Sequence, residues 1–223
     1  MAPTYFRREP GIELSDGFCG SALISVEMTD ADAIHQKKTE IRAAALARRD
    51  ALPAVERAAA AEQIAAREFP VAITPGVIVS GFMPLKSEIN PLPLMKKLAT
   101  SGARLALPAI QGRGHPLIMR AYVFGDELAR GQWGIREPGP DAPEVAPDIV
   151  IVPLAAFDRT GNRIGYGAGY YDMTLAALRA KKNITAVGIA FAAQEIDQVP
   201  VTPRDERLDL VLTERGVIDW RES

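Results

Sequence analysis

The sequence predicts an α/β fold in which helices cover both faces of a largely parallel sheet. Short apolar runs rich in β-branched residues alternate with segments whose apolar residues recur at helical spacing. This alternation is typical of parallel strands that are connected by helices. The chain has 223 residues, of which 48% are hydrophobic and 24% are charged, and this composition fits one soluble globular domain.

Two helices are predicted at the start of this domain. Thr29 or Asp30 can cap a helix that runs through an alanine-rich segment to about Ala51. Pro53 interrupts that helix and suits the first turn of a second one, which is expected to continue through Phe69. Residues 1–27 carry no motif and no clear periodicity, so we expect a disordered extension there and a domain over residues 28–223.

The remaining elements alternate between strands and helices. A strand over 77–83 is followed by a helix from Pro91 to Ser101, with Gly102 as its stop signal. The last helix begins after Gly169. Further strands are expected over residues 104–107, 117–122, 149–152, 184–189 and 210–212. Because ligands bind beyond the carboxyl ends of parallel strands, loops that follow different strands are expected to meet at one edge of the sheet.

Charge and cysteine content exclude several classes of protein. The formal net charge of -2 provides no overall attraction to nucleic acid. Cys19 is the one cysteine, which excludes an internal disulfide bond and fits a reducing compartment. No apolar run in the sequence reaches the length of a membrane span. We therefore expect a cytoplasmic monomer that binds neither nucleic acid nor membranes.

A glycine-rich segment over 162–172 is the strongest functional signal. It reads Asn-Arg-Ile-Gly-Tyr-Gly-Ala-Gly-Tyr-Tyr-Asp and lies between a predicted strand and a predicted helix. Glycine N–H groups at a helix N-terminus can hold phosphate oxygens, Arg163 can neutralise phosphate charge, and Asp172 can hold a magnesium ion. The order G-x-G-x-G matches neither the dinucleotide fingerprint nor the Walker motif. A glycine-rich turn without a ligand explains the arginine and the aspartate less well.

The segments around this loop resemble the signature of the 5-formyltetrahydrofolate cyclo-ligase family, also called methenyltetrahydrofolate synthetases. The matching segments lie between about Ala31 and Ile218, in the same order along the chain as in the family. The glycine–tyrosine–aspartate block is specific, whereas a K-x-x-x-R helix alone would be a weak signal. Matching segments lie at 38–42, 48–49, 83–89, 131–138, 152–153, 156–158, 161–172, 208–209 and 212–214. The resemblance implies a three-layer α/β/α fold with a largely parallel sheet and N-terminal helices packed alongside.

The same resemblance implies a role for each matching residue. Lys38 and Arg163 would act in catalysis. Asp172 and Asp209 would bind Mg²⁺. The implied ATP site comprises Lys38, Arg42, Arg163, Gly165, Tyr166, Gly167, Ala168, Gly169, Tyr170 and Tyr171. The implied folate site comprises Met83, Glu88, Trp133, Tyr166, Gly167, Ala168, Gly169 and Tyr170. Without the resemblance, Lys38 and Arg42 would indicate only a solvated cationic face of a helix. Asp172 would then indicate only an acidic residue in the first turn of a helix.

The implied activity is the conversion of 5-formyltetrahydrofolate to 5,10-methenyltetrahydrofolate, with ATP as co-substrate and a phosphorylated formyl intermediate. Two other classes stay open: a kinase or ligase that acts on another small molecule, and a non-catalytic folate- or nucleotide-binding protein. Glu88 and Trp133 favour a folate, and Arg163 together with Asp172 favours catalysis. The chain departs from the family pattern at Ala168, where glycine or a basic residue is usual, and in the highly charged segment 204–207.

Overall fold

Helices and strands alternate along the chain as the sequence predicts. The computed structural model describes residues 29–221, so the predicted extension over 1–27 lies outside the described residues. The helices are α1 (Asp30–Asp50), α2 (Ala54–Ala66), α3 (Leu92–Thr100) and α4 (Tyr170–Arg179), with 3-10 turns at Gln132–Gly134 and Ala192–Gln194. The strands are β1 (Ile78–Ser80), β2 (Arg104–Ala109), β3 (Ile118–Tyr122), β4 (Leu128–Arg130), β5 (Arg136–Pro138), β6 (Ile149–Pro153), β7 (Ala156–Phe157), β8 (Arg163–Ile164), β9 (Thr185–Ile189), β10 (Leu210–Thr213) and β11 (Gly216–Asp219). Among the helices of this range, none is long and apolar enough to cross a membrane.

A seven-stranded sheet forms the centre of the structure. Its strand order is β11-β10-β9-β6-β1-β2-β3. The inner strands β10, β9, β6, β1 and β2 run parallel, while β11 and β3 pair antiparallel at the two edges. The hairpins β4–β5 and β7–β8 form small separate sheets. This topology confirms the predicted α/β fold with a largely parallel sheet.

The sheet is covered on both faces because successive side chains of a strand point to opposite sides. Val79 and Ile151 belong to a buried cluster that includes apolar residues of α2 and α3. Val150 and Val152 belong to a second cluster, which contains Leu175 of α4. Each fully buried aliphatic side chain of this kind contributes about 1.5–3 kcal/mol to stability. The result is an α/β/α sandwich in which α2 is part of one layer.

Helix α1 lies beside this sandwich and carries one stripe of buried and half-buried residues. Lys38, Arg42, Ala45 and Arg49 follow one another at steps of four, three and four residues, which keeps them on one side of a helix. Ala45 is fully buried, in a cluster with residues of the β7–β8 hairpin. Because the alanine packs closely, the cations on either side of it are held against the body of the protein.

Candidate active site

A cleft of about 940 Å³ opens beyond the carboxyl ends of β1, β2 and β6. Loops from separate parts of the chain meet there, as expected for a parallel sheet. The predicted site residues that line the cleft are Met83, Glu88, Trp133, Arg163, Gly165, Tyr166, Gly167, Ala168, Gly169, Tyr170, Tyr171 and Asp172. Lys38, Arg42 and Asp209 do not line it. The glycine loop and Asp172, assigned to the nucleotide and its metal, therefore share one cavity with Glu88 and Trp133, assigned to the folate.

The glycine loop, residues 165–169, forms part of the cleft wall and leads directly into α4. Gly167 and Gly169 have φ angles of 99° and 70°, in the left-handed region that glycine adopts without steric cost. Gly169 is the N-cap of α4, so the loop presents backbone N–H groups at a helix N-terminus. Arg42 braces the loop from α1, since its Nε donates to the carbonyl of Gly165 at 2.7 Å. This geometry can hold an anion such as a phosphate.

Arg163 and Asp172 form a largely buried ion pair beside this loop. Arg163 Nη2 donates to Asp172 Oδ1 at 2.7 Å, and the Arg163 side chain is 3% exposed. The N–H of Glu206 donates to the same oxygen at 3.1 Å, and Arg163 Nη1 donates to the Glu206 carbonyl. Within residues 29–221, both hydrogen bonds to this carboxylate go to Oδ1 and none reaches Oδ2. The second oxygen is therefore available to one more ligand.

Asp209, the second predicted metal ligand, has hydrogen-bond partners of its own. Asp209 precedes β10 and accepts from the Ala186 N–H at 2.6 Å and from Arg179 Nη2 at 3.1 Å. Arg179 is the last residue of α4, whereas Asp172 lies in its first turn, so about 10 Å of helix separates them. A Mg²⁺ ion would have to compete with Arg179 and with the Ala186 N–H for the Asp209 carboxylate. The role of Asp209 as the second Mg²⁺ ligand stays a prediction.

Asp172 fits a magnesium ion that is held mainly by a nucleotide. In the part of the chain that the structure describes, no three His, Cys, Asp or Glu side chains are grouped to hold a metal. Mg²⁺ at a nucleotide site needs no such group, because one or two carboxylates, phosphate oxygens and water complete its octahedron. Asp172 Oδ2, beside the glycine loop, offers one such carboxylate oxygen.

Lys38 lies on the same stripe of α1 as Arg42 but has an acidic partner. Its Nζ forms an ion pair with Asp205 Oδ2 at 2.5 Å. Asp205 belongs to the 204–207 segment that departs from the family pattern, and its carboxylate also accepts from the Thr202 N–H at 2.5 Å. A nucleotide phosphate would have to compete with this carboxylate for Lys38. The predicted role of Lys38 in ATP binding and catalysis stays a prediction.

Glu88 lies on another wall of the cleft. Its Oε2 accepts from the Leu85 N–H at 2.7 Å, which fixes the carboxylate. Burial raises the pKa of Glu88, while the Leu85 N–H, the Tyr166 hydroxyl and the charge of Arg49 act in the opposite direction. Burial and the charge of Glu88 raise the pKa of Tyr166, so its phenol stays protonated at neutral pH. The cleft thus contains a carboxylate acceptor next to a tyrosine that keeps its proton.

Trp133 is not a core residue but is 60% exposed at the cleft. Its φ angle of 55° lies in the left-handed region, where a bulky residue is strained, and such strain concentrates at functional sites. The Trp133 ring lies 5.9 Å from the ring of Tyr170, centre to centre. The hydroxyl of Tyr170 is buried and has no hydrogen-bond partner among the described residues. The exposed Trp133 ring offers a flat apolar face to a ligand, and Tyr170 packs against it.

Some cleft residues were not assigned a role from the sequence. Arg49 lines the cleft and is buried, and its spacing of seven residues from Arg42 is a signal that places both on one helix face. Lys86, Arg113 and Arg136 also line the cleft. They lie in loops and in a three-residue strand, whose positions no periodic pattern indicates.

The chain matches a known family over most of its length. The model of the 5-formyltetrahydrofolate cyclo-ligase family matches residues 34–214. A 5-formyltetrahydrofolate cyclo-ligase of Mycolicibacterium smegmatis is 32% identical over 195 residues, which cover 83% of this chain and 98% of the relative. One of Escherichia coli K12 is 34% identical over 151 residues, which cover 64% of this chain and 80% of that relative.

Solved structures share the fold. The NMR structure of Aquifex aeolicus 5,10-methenyltetrahydrofolate synthetase has a TM-score of 0.68 and 28% identity, over 83% of this chain and 94% of that one. A 5,10-methenyltetrahydrofolate synthetase from Mycoplasma pneumoniae, 21% identical, has the same fold with a TM-score of 0.60, over 79% of this chain and 98% of that one. The family match spans every predicted site residue from Lys38 to Asp209. The chain therefore belongs to the 5-formyltetrahydrofolate cyclo-ligase family.

Proposed function

We propose that the chain catalyses the ATP-dependent cyclisation of 5-formyltetrahydrofolate to 5,10-methenyltetrahydrofolate, with release of ADP and phosphate. The observation that carries this proposal is the shared cleft, in which the glycine loop and Asp172 meet Glu88 and Trp133. The first group suits a nucleotide with its metal, and the second suits a flat ring system with a polar edge. A phosphoryl donor and its acceptor can therefore occupy one cavity. Membership of the family supports the same pairing.

The nucleotide is proposed to lie along the glycine loop. Backbone N–H groups at the start of α4 donate to phosphate oxygens, and Arg42 adds positive charge from α1. Arg163 holds Asp172 through the Oδ1 contact, which leaves Oδ2 for Mg²⁺. The ion, when bound, would neutralise charge on the phosphates.

The reduced folate is proposed to occupy the side of the cleft that contains Glu88. The fixed carboxylate of Glu88 accepts hydrogen bonds from N–H groups on the pterin edge, which is a charge-assisted interaction. Met83 and Trp133 supply apolar surface for the ring system. Tyr166 and Tyr170 lie in or next to the glycine loop and would contact both ligands.

The reaction is proposed in two steps whose atoms balance. The formyl oxygen attacks the terminal phosphorus of ATP, an O–P bond forms, and the bond to ADP breaks. The neighbouring amine then attacks the formyl carbon, a C–N bond forms, the amine loses its proton, and the C–O bond breaks as phosphate leaves. The side chains of the cleft align the reactants and balance charge, so no side-chain nucleophile is needed.

Three further properties belong to the same proposal. Magnesium dependence rests on the position of Asp172 and on the resemblance. Function in the cytoplasm is consistent with one cysteine in 223 residues, and function as a monomer belongs to the proposal without separate support. The absence of a nucleic-acid or membrane partner is consistent with the formal net charge of -2.

Incubation of the protein with 5-formyltetrahydrofolate, ATP and Mg²⁺ tests the function. We expect the absorbance of the methenyl product to grow, with equal amounts of ADP and phosphate, and no product when ATP is omitted. ADP formed only with a different small molecule would instead support the kinase or ligase alternative. Tight binding of both ligands without ADP formation would support a binding protein.

A further inference from the structure

We infer that Arg49 is a positioning residue for this reaction. It holds the loop that contains Ser87 and Glu88 and the glycine loop in the mutual arrangement that a reduced folate requires. The inference rests on the proposed function. Arg49 lies in the last turn of α1, and its side chain is 5% exposed. It lines the cleft although it belongs to neither loop.

The guanidinium of Arg49 contacts both loops. Its Nε donates to Ser87 Oγ at 3.0 Å, next to Glu88 in the chain. Its Nη1 donates to the Tyr166 hydroxyl at 2.6 Å, and its Cζ lies 5.7 Å from the centre of the Tyr166 ring. A planar guanidinium has N–H groups in fixed directions and can satisfy two acceptors at once, which a lysine ammonium on a flexible stem does less well. Arg49 therefore fixes the distance between the two loops.

Arg49 also balances the charge of Glu88. The groups that face Glu88 are the Leu85 N–H, the hydroxyl of Tyr166, the phenol of Tyr171 and Arg49. Arg49 is the cation among these groups of the described chain. Burial raises the pKa of Glu88, and the charge of Arg49 works against that rise. Removal of this cation would leave a larger fraction of Glu88 protonated, without the charge that strengthens its hydrogen bonds from the pterin edge.

If Arg49 only stabilised the end of α1, its loss would affect the kinetics no more than the loss of another arginine there. Arg48 is the matched control for that possibility. Arg48 precedes Arg49 in the same turn of α1, is exposed, and donates from Nε to the Ala193 carbonyl at 3.1 Å. Arg48 does not line the cleft. Loss of either arginine removes contacts at the end of α1, but only the loss of Arg49 changes the cleft.

Steady-state kinetics of the full chain test this role. The variants are Arg49→Lys, Arg49→Met and Arg48→Met, each assayed with 5-formyltetrahydrofolate and Mg-ATP. We expect Arg49→Lys to raise the KM for the folate roughly ten- to a hundredfold and the KM for ATP by less than about threefold. Arg49→Met is expected also to move the acidic limb of kcat/KM for the folate to higher pH. Arg48→Met is expected to match the wild type in both readouts.

Two further variants make the experiment decisive. Arg49→Gln, which also lacks the charge, replaces Arg49→Met if the latter does not fold. Tyr166→Phe completes a double-mutant cycle that should show coupling between the two side chains. Equal KM increases for both substrates, an unshifted acidic limb, or no difference from Arg48→Met would overturn the role of Arg49. Absence of methenyl product from the wild type would reject the proposed function itself, so the two failures are distinguishable.

Discussion

In the proposed site, Glu88 is the residue on which we expect the preference for a folate to depend. Glu88→Gln keeps the size of the side chain but removes the charge that accepts from the pterin edge. We expect this change to weaken folate binding by roughly 1.5–3 kcal/mol and to leave ATP binding nearly unchanged. Calorimetric titration of each ligand measures both effects, with Glu127→Gln at an exposed glutamate as the control. Equal weakening for the two ligands would contradict the assignment.

The raised pKa of Glu88 also predicts a pH dependence. Because burial raises the pKa of this carboxyl, it takes up a proton at a higher pH than an ordinary glutamate. Folate affinity should be complete at pH values well above that raised pKa and should decline as the pH falls through it. In Glu88→Gln the decline should disappear. Folate dissociation constants measured over a pH series for both proteins check this, and the same decline in both would rule out Glu88 as its source.

Asp172 is expected to control the magnesium dependence. Asp172→Asn keeps an oxygen that can accept from Arg163 and from the Glu206 N–H, so the fold should persist. It lacks the negative oxygen for the ion, and turnover should fall by about 10²–10³. A magnesium titration measures the effect, with circular dichroism as the folding check. Wild-type turnover of Asp172→Asn at ordinary magnesium would contradict this role. The same titration of Asp209→Asn tests the second predicted ligand, and an unchanged magnesium midpoint in that variant would exclude Asp209.

Site residues that lie close together in the sequence could be predicted as a group, whereas contacts between residues far apart in the sequence could not. The glycines, Arg163 and Asp172 fall within one short segment, so their order alone indicates a phosphate loop. Asp209 pairs with Arg179, which is 30 residues away, because of how α4 packs against the chain before β10. The ion pair between Lys38 and Asp205 spans 167 residues. Neither contact has a local pattern that a sequence displays.

At the scale of elements, the packing of α1 determines the position of the glycine loop. Ala45→Leu adds volume at a fully buried site and should destabilise the fold by about 1–3 kcal/mol. Because a displaced α1 would separate Arg42 from the Gly165 carbonyl, ATP affinity should fall as well. Urea denaturation and ATP titration measure the two effects, with Ala47→Leu at an exposed position of the same helix as the control. Unchanged ATP affinity in a destabilised Ala45→Leu protein would show that α1 does not brace the loop.

Long periodic elements were predictable, and short hairpins were not. The first helix matches its prediction, with Thr29 as its cap. The second helix ends at Ala66 and not at Phe69, because Arg67 turns to an extended conformation and donates to the carbonyls of Thr213 and Glu214. Strands β4, β5, β7 and β8 have only two or three residues each, which is too few to show a period of two.

At the scale of the whole molecule, residues 1–27 are expected to be dispensable. The first helix carries its own capping box, in which Thr29 Oγ1 accepts from the Asp32 N–H and Asp32 Oδ2 accepts from the Thr29 N–H, each at 3.2 Å. A chain that begins at Met28 keeps this cap and should keep the Tm and turnover of the full chain. Thr29→Ala in the full chain is the reference for a lost cap, and we expect it to lower the free energy of unfolding by about 1 kcal/mol. A large loss of either property in the shortened chain would show that the first residues contribute to the domain.

The transfer of the formyl oxygen to phosphate is the central claim about this cleft. The most direct test uses 5-formyltetrahydrofolate with oxygen-18 in its formyl group, the wild-type protein, ATP and Mg²⁺, with mass spectrometry of the released phosphate. The formyl oxygen is the proposed acceptor of the phosphoryl group. One phosphate with a single oxygen-18 atom should therefore be released for every methenyl product formed. Formation of the methenyl product with unlabelled phosphate would contradict the account.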